Sequence, residues 1–464
     1  MGHPRSLPVF PSRLDVACDV LASHARPGPR YTSYPPATQF QPSFAAAGAA
    51  AELAAIQDGD DISLYAHIPF CTQLCWYCGC NVEATRDRSK GSRYVDVLLR
   101  ELALVAGAMG GKPRVVDLAL GGGSPNFLET GDLARLIDEL RRAFTVPADA
   151  MLGIELDPRD TRPEQIDALA AIGFRRISVG VQDFDETVQT IIHRHQSAAA
   201  TRAVIERARA RGVTSVNVDL VYGLPGQTPA SVGRTLDEVV RLAPDRLAVF
   251  GYAHLPHLRP HQKLVERAAP VPDIPQRIEL LRVVMDRLAD AGYVRVGLDH
   301  FARPDDPLAR ASALGQLGRN FQGYVAHATD RLIGIGASAI SDSGHAYWQN
   351  HVDVDAWTAE VNAGRLPVVR GVALAADDEL RRFVIMRLMC DGRLDFAEVE
   401  ARFGVPFTST FAAELTELAR AYADLATVDR AGGAIAATPL GHHLIRNVAA
   451  VFDRYAPSSG SPSI

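Results

Sequence analysis

From residue 62 onward, short apolar runs alternate with longer stretches whose apolar positions recur every three to four residues. The runs at 63–68, 115–120, 152–156, 176–181, 215–220 and 246–252 predict strands. The stretches at 92–108, 130–144, 161–172, 185–210 and 228–242 predict the helices between them. Two helix starts are well marked. Thr161 with Glu164 reads as a capping box, and Thr228-Pro229 places proline at the first helical position. Short apolar strands joined by helices specify an α/β fold, a parallel sheet with right-handed crossovers. Six such units fall short of the eight in a closed barrel, so the expected architecture is a partial, TIM-like (β/α)6 barrel.

The flanks read differently. Residues 1–55 form an arm, whose stretch RPGPRYTSYPPATQF (26–40) is rich in proline and turn formers and makes a poor core element. An alanine-rich helix at 44–56 follows it. The barrel is expected over 56–292, ending in an amphipathic helix at 275–291. A mixed region, 293–370, contains the glycine-rich run LIGIGASAI (332–340). A mainly helical domain is expected over 371–456, and a disordered Ser/Pro/Gly tail over 457–464.

A length of 464 residues suits two or three domains, and 47 % hydrophobic residues can bury a large core. The net charge is -6, from 48 basic and 54 acidic residues, which argues against nucleic acid or an anionic membrane as the main partner. A local basic pocket for an anionic ligand stays compatible with that balance. No apolar run reaches the roughly 18 residues of a membrane span, and MGHPRSLPVFPSR lacks the apolar core of a secretory signal. A soluble cytoplasmic protein is expected.

Four of the six cysteines fall between Cys71 and Cys80, in HIPFCTQLCWYCGCN (67–81), directly after the first strand. A disulfide framework would spread its cysteines, so this packing points to metal. Cys18 and Cys390 stand alone and read as structural thiols. In the C-x3-C-x2-C-x-C spacing, three thiolates on a loop can hold three irons of a [4Fe–4S] cube and leave the fourth open. Structural zinc is the alternative, although zinc usually takes two separated ligand pairs. GGGSP (121–125) ends the second strand, where glycines let backbone approach a polar ligand. Polar residues also end the later strands: Glu155 and Asp157, Gln182 and Asp183, Asp219, then Tyr252 and His254. Each alone reads as a cap or surface residue. Together they outline one mouth at the C-terminal face, where barrel enzymes place their chemistry.

These motifs resemble the radical S-adenosylmethionine (SAM) superfamily. Within it the chain is similar to the oxygen-independent coproporphyrinogen III oxidase (dehydrogenase) family. The similarity covers most of the chain: RPGPRYTSYP, YAHIPFC, CGCN, GGGSP, VGVQDF, IIHRHQ, NVDLVYGLPGQT, YAHLP, GRNFQGY, GIGASAI and VAAVFDRY. The resemblance implies one [4Fe–4S] cluster on Cys71, Cys75 and Cys78, with a first SAM on the open iron. It implies that Tyr65, Gly122 and Glu155 contact that SAM, with Tyr77 near the adenine and Ile340 packing on it. A second SAM would sit on Gly123, Ser124, Gln182, Arg194, Asp219 and Ala253. The implied reaction is radical oxidative decarboxylation of two propionates of coproporphyrinogen III to vinyl groups, giving protoporphyrinogen IX for haem biosynthesis. It would need a low-potential electron donor, and the resemblance implies a monomer. Arg26, Arg30 and Arg319 are candidate partners for the propionates, and Cys80 has no assigned role. Ser124 stands where the family often has threonine, which keeps the hydroxyl; Tyr77 stands where it commonly has phenylalanine.

Overall fold

The computed structural model describes residues 10–326 and 329–456, and the backbone of Ser461 and Pro462. Six strands follow the predicted alternation: β1 (Asp61–Ile68), β2 (Arg114–Gly122), β3 (Met151–Leu156), β4 (Arg176–Gln182), β5 (Ser215–Tyr222) and β6 (Arg246–Gly251). They pair in parallel, each with the next. Helices α1 (Ser89–Ala108), α2 (Thr130–Ala143), α3 (Pro163–Ile172), α4 (Ala198–Ala210) and α5 (Pro229–Leu242) make the crossovers, and α6 (Ile274–Asp290) packs beside α5. The chain is thus a partial barrel with a central parallel sheet.

The sheet is larger than the sequence suggests. Among the described residues it carries twelve strands. A hairpin of β7 (Val294–Val296) and β8 (His300–Ala302) extends the β6 edge. On the other edge β9 (Leu332–Ile335) adds parallel to β1, followed by the antiparallel β10 (Ile340–Asp342), β11 (Ala346–Asn350) and β12 (Val368–Ala373). Much of the mixed region 293–370 therefore continues the barrel sheet.

Three other expectations are corrected. The helix predicted at 185–210 is broken into Glu186–Ile191 and α4, with His193 in a left-handed conformation between them. The Gln189 side chain takes over the lost backbone bonds: its amide donates to Gln196 O (2.9 Å) and its oxygen accepts from Gln196 N (3.1 Å). Ser197 then caps α4 by accepting from Ala200 N. The Thr161–Glu164 box does not form, because α3 starts at Pro163, and the Thr161 hydroxyl instead donates to Asp157 O at 2.7 Å. Thr228 forms its cap, with Ser231 closing a capping box. Finally, the proline-rich arm enters the core. Tyr31 and Tyr34 are buried, and Tyr31 donates to Asp453 (3.1 Å) of the C-terminal region.

The C-terminal region is mainly helical, led by α7 (Ala376–Asp391), but includes a three-stranded sheet of Arg393–Asp395, Ala434–Ala437 and Ala426–Asp429. Of the expected disordered tail, 457–460 and 463–464 lie outside the described residues, while Ser461 and Pro462 pair with Gly28 and Pro27. No described helix is long and apolar enough to cross a membrane.

Helix α1 fastens the β9 edge to the end of β1. Its buried Glu101 accepts from Gly336 N (2.7 Å), Asn350 Nδ2 (2.6 Å) and Trp357 Nε1 (2.9 Å). Two turns earlier, Tyr94 donates to His67 O (2.8 Å) and accepts from Ala337 N (2.9 Å). Burial pushes the Glu101 carboxyl up to about 7, against the three donors. Glu101→Gln turns one acceptor into a donor facing other donors and should cost about 1–3 kcal/mol in urea unfolding. A raised carboxyl favours the folded state below its unfolded pKa and loses that advantage as pH rises through about 7. The gap between wild type and variant should therefore narrow from pH 5 to pH 8.

Candidate active site

Parallel strands present alternate residues to the barrel interior. Register places Gly153 beside Arg176, Glu155 beside Ser178, Ser178 beside Asn217, and Asp219 beside Ala248. These side chains face a cavity of about 510 Å3 inside the barrel. Its lower part is polar and paired: Arg176 makes two 2.9 Å bonds to Asp117, and Arg246 reaches Asp306 at 2.8 Å.

At the upper end, the loop after β1 brings Cys71, Cys75, Cys78 and Cys80 to one wall. Two histidine contacts fix the start of that loop. His67 meets the Tyr65 hydroxyl at 3.2 Å and Asn81 O at 3.1 Å; burial lowers its pKa to about 4, so it stays neutral. The segment after β6 clasps the loop from outside. Gln262 donates to Tyr77 O (2.8 Å), His261 to Cys78 O (2.8 Å) and Arg259 to Gly79 O (2.9 Å). The helix break packs on it too, with Trp76 stacked on His193 at 4.9 Å.

The same break turns Arg194 inward. Arg194 is 6 % exposed and donates to Gly180 O (2.6 Å), Asp157 Oδ2 (3.1 Å) and Cys75 Sγ (3.5 Å). Arg159 joins it, reaching Asp157 Oδ2 (2.6 Å) and Cys75 Sγ (3.4 Å). Burial alone would raise the Asp157 carboxyl, but the two guanidiniums outweigh it and hold it near 2. Cys71 contacts the Ser124 hydroxyl at 3.6 Å, and burial pushes its thiol up to about 12. Cys80 acts on its neighbour: hydrogen bonding to it draws Cys78 down to about 7. Glu155 is exposed to the cavity; desolvation inside the barrel, then the Asp219 charge, push it up to about 7, and it accepts from Gly122 N (3.2 Å).

Glycine is required where the backbone nears the loop. Gly122 has φ +111°, and a Cβ there would lie 2.4 Å from the His67 ring. A Cβ on Gly123 would lie 2.6 Å from Phe70 O.

Of the residues singled out from sequence, Tyr77, Gly122, Gly123, Ser124, Glu155, Gln182, Arg194 and Asp219 line the cavity together with the cysteines. Tyr65, Ala253 and Ile340 do not: Tyr65 reaches His67, Ala253 O accepts from Gln262, and Ile340 of β10 pairs with Gln349 of β11. Among the basic candidates, Arg26 turns to Tyr422 (3.1 Å) of the C-terminal region, and Arg30 donates to Gly251 O (3.0 Å). Arg319 holds Arg30 O (3.0 Å), and its Nη1 is buried with no partner among the described residues, as is Nε2 of the cavity-lining Gln322. Arg159 and the clasp 259–262 were not singled out from sequence. A charge two residues after Asp157 reads as solvated, and nothing local marks a clasp 180 residues from the loop it holds.

The arrangement suits an iron–sulfur cluster. Arg159 Nη1 and Arg194 Nε are buried beside Cys75 with no partner among the described residues, so cationic donors await a group with negative charge. Among the described residues no three His, Cys, Asp or Glu side chains converge on a point fit for one metal ion. A tetrahedral zinc needs that convergence, whereas a cube spreads its thiolates over separate irons.

Comparison with known proteins agrees. The family described as "Radical SAM superfamily" matches residues 65–239, and "HemN C-terminal domain" matches 374–442. The "Oxygen-independent coproporphyrinogen III oxidase" of Pseudomonas aeruginosa is 42 % identical over 447 residues, 95 % of this chain and 96 % of the relative. The protein of the same name from Escherichia coli is 43 % identical over 431 residues, 92 % and 93 % of the two chains. A solved structure, "Coproporphyrinogen III oxidase (HemN) from Escherichia coli is a Radical SAM enzyme", superposes with a TM-score of 0.89 at 40 % identity, covering 96 % of this chain and 100 % of that one.

Proposed function

The chain belongs to the oxygen-independent coproporphyrinogen III oxidase family of radical SAM enzymes, and we propose that it carries out that decarboxylation at the barrel mouth. The observation that carries the reading is the pair of arginines, buried Arg194 and half-buried Arg159, aimed at Cys75 on the cavity wall. Cys71, Cys75 and Cys78 would hold one [4Fe–4S] cluster, and Cys80 would stay outside the ligand set. When bound, the cluster with SAM supplies reductive C–S cleavage and, through it, hydrogen-atom abstraction from the substrate.

The residues do the binding and positioning. Glu155 and Gly122 would bind the first SAM, with Tyr77 flanking its adenine. Tyr65 would act through His67, which it contacts, and Ile340 from the neighbouring sheet edge. Gly123, Ser124, Gln182, Arg194 and Asp219 would hold a second SAM, with Arg194 taking a carboxylate; Ala253, whose carbonyl Gln262 holds, would support that site from the edge. Asp219 accepts from Ser178 (2.8 Å) and Asn217 (2.7 Å), so its free lone pairs face the cavity for hydroxyl or ammonium groups. The neutral His67 and the 259–262 clasp keep the cysteine loop in register. Arg319 Nη1 and Gln322 Nε2 would receive substrate carboxylates. Each turn would pass one hydrogen atom of a propionate to the fragment of split SAM, release one CO2 and hand one further electron to an external oxidant, leaving a vinyl group; two turns would convert coproporphyrinogen III to protoporphyrinogen IX. The electron that splits each SAM would come from a low-potential donor, and the chain would work as a cytoplasmic monomer.

The test is stoichiometry. After anaerobic reconstitution, iron and sulfide analysis should give one four-iron cluster per chain, and equilibrium dialysis should give two SAM per chain. Asp219→Asn should retain the cluster and lose one SAM. One SAM in the wild type, or an unchanged two in the variant, would refute the second site.

A further inference from the structure

Past β6 the sheet gains an inward-facing residue that the β/α repeat does not supply. In register, Asp219 of β5 lies beside Ala248 of β6, and Ala248 lies beside His300 of β8. All three border the main cavity, so they share the inner face of the wall. Two strand spacings put the His300 backbone about 9–10 Å from that of Asp219.

The His300 ring is buried and held in one orientation. Phe250 and Tyr324 meet it edge to face, with centroids 6.1 and 5.5 Å away and planes at 87° and 83°. Tyr324 is itself fixed, since its hydroxyl donates to Met389 O (2.9 Å) and accepts from Leu298 N (3.1 Å). It belongs to a hairpin of Gly318–Asn320 and Gly323–Val325 that packs on the ring. Gly323 has φ +99°, and a Cβ there would lie 3.1 Å from His300 Cε1.

One ring nitrogen is committed and the other is not. His300 Nδ1 meets Asp299 Oδ1 at 2.7 Å. Burial alone would raise the Asp299 carboxyl, but the His300 imidazole, then the Arg319 and Arg30 guanidiniums, outweigh it and hold it well below the usual carboxylate range. An ionised carboxylate only accepts, so Nδ1 carries a hydrogen and Nε2 is the nitrogen left to bind. Nε2 has no hydrogen-bond partner among the described residues. Gln322, next in the chain to Gly323, also lines the cavity, and its Nε2 is buried with no partner among the described residues.

We propose that Asp299 and His300 form a carboxylate-recognition site, in which the His300 imidazolium donates from Nε2 to one propionate of the tetrapyrrole and Asp299 positions the ring. The site rests on the tetrapyrrole substrate proposed above and assigns a residue that reads one of its acid groups. An imidazolium between two carboxylates makes a charge-assisted hydrogen bond from each nitrogen, and the Gln322 amide adds a neutral donor on the same wall.

The test compares coproporphyrin III with its tetra-amide, which keeps the macrocycle and removes the four charges. Binding to the reconstituted full-length protein, without reductant, is read by fluorescence quenching. Wild type should prefer the acid. His300→Gln keeps an N–H near the Nε2 position without its charge; it should weaken acid binding about tenfold or more and change amide binding less than about twofold. Asp299→Asn leaves the ring in place and should weaken acid binding alone, by a smaller factor; it decides the matter should His300→Gln not fold. Equal losses for acid and amide would point to a shape or pyrrole contact and would overturn the proposal. Unchanged acid binding in both variants, or a wild type that does not prefer the acid, would overturn it too. Decarboxylation of coproporphyrinogen III by the wild type reports separately on the proposed function: turnover without an acid-selective loss in the variants sinks this site alone.

Discussion

Cys75→Ser is expected to abolish both SAM cleavage and coproporphyrinogen decarboxylation, while the apo-protein keeps its fold. Replacing a group that merely supports a metal ligand typically costs about 10–100-fold. Loss of a ligand itself should exceed that, so turnover should fall at least about a thousandfold. Cys75 is the strongest choice of the three proposed ligands because Arg159 and the buried Arg194 converge on its sulfur, at 3.4 and 3.5 Å. A serine oxygen there is a weaker, harder donor for iron, and it leaves those charges facing a neutral group. Iron content, the charge-transfer absorbance of the reconstituted protein and SAM cleavage should fall together. Far-ultraviolet circular dichroism should not change. Cys80→Ser is the internal control: it should retain the cluster, since the fourth thiol is outside the ligand set.

The second large effect is on stability. Asp157 is 5 % exposed and is the carboxylate that both Arg159 and Arg194 share. Removing one partner from a buried ion pair typically costs about 3–5 kcal/mol. Asp157→Asn should cost that much in denaturant unfolding of the apo-protein, more than Glu101→Gln. A depressed carboxyl contributes stability that is fully present above its unfolded pKa, near about 3.9, and lost as pH falls through its folded value, about 2. The difference between wild type and Asp157→Asn should hold from pH 7 to pH 5 and shrink between about pH 4 and pH 2. A difference that stays constant to pH 2 would mean that the Asp157 charge does not hold the arginines.

The period of apolar residues specified β1–β6 and their helices well, because each strand is long and its crossover amphipathic. β7–β12 were not legible in the same way. They run three to six residues, and β9 pairs with β1 from more than 260 positions away. The C-terminal strands were hidden in alanine-rich segments such as Ala434–Ala437, whose composition favours helix. The break at 192–197 hid for another reason: it is made by a side chain, Gln189, which substitutes for backbone bonds that periodicity assumes. That break matters most, since it delivers Arg194 to Cys75. The cysteines and GGGSP were legible as local motifs. The Arg159–Asp157–Arg194 triad was legible only in part, because its members meet through the fold. Tyr31 and Tyr34 show the limit of reading proline-rich segments as surface: the arm is core because the C-terminal region covers it.

An anaerobic assay of the reconstituted chain with coproporphyrinogen III, SAM and a low-potential reductant decides whether the chain is this decarboxylase. Protoporphyrinogen IX and two CO2 per substrate are expected, with SAM consumed in step, and none of these from Cys75→Ser. SAM cleavage without decarboxylation of this substrate, or decarboxylation that survives Cys75→Ser, would contradict it.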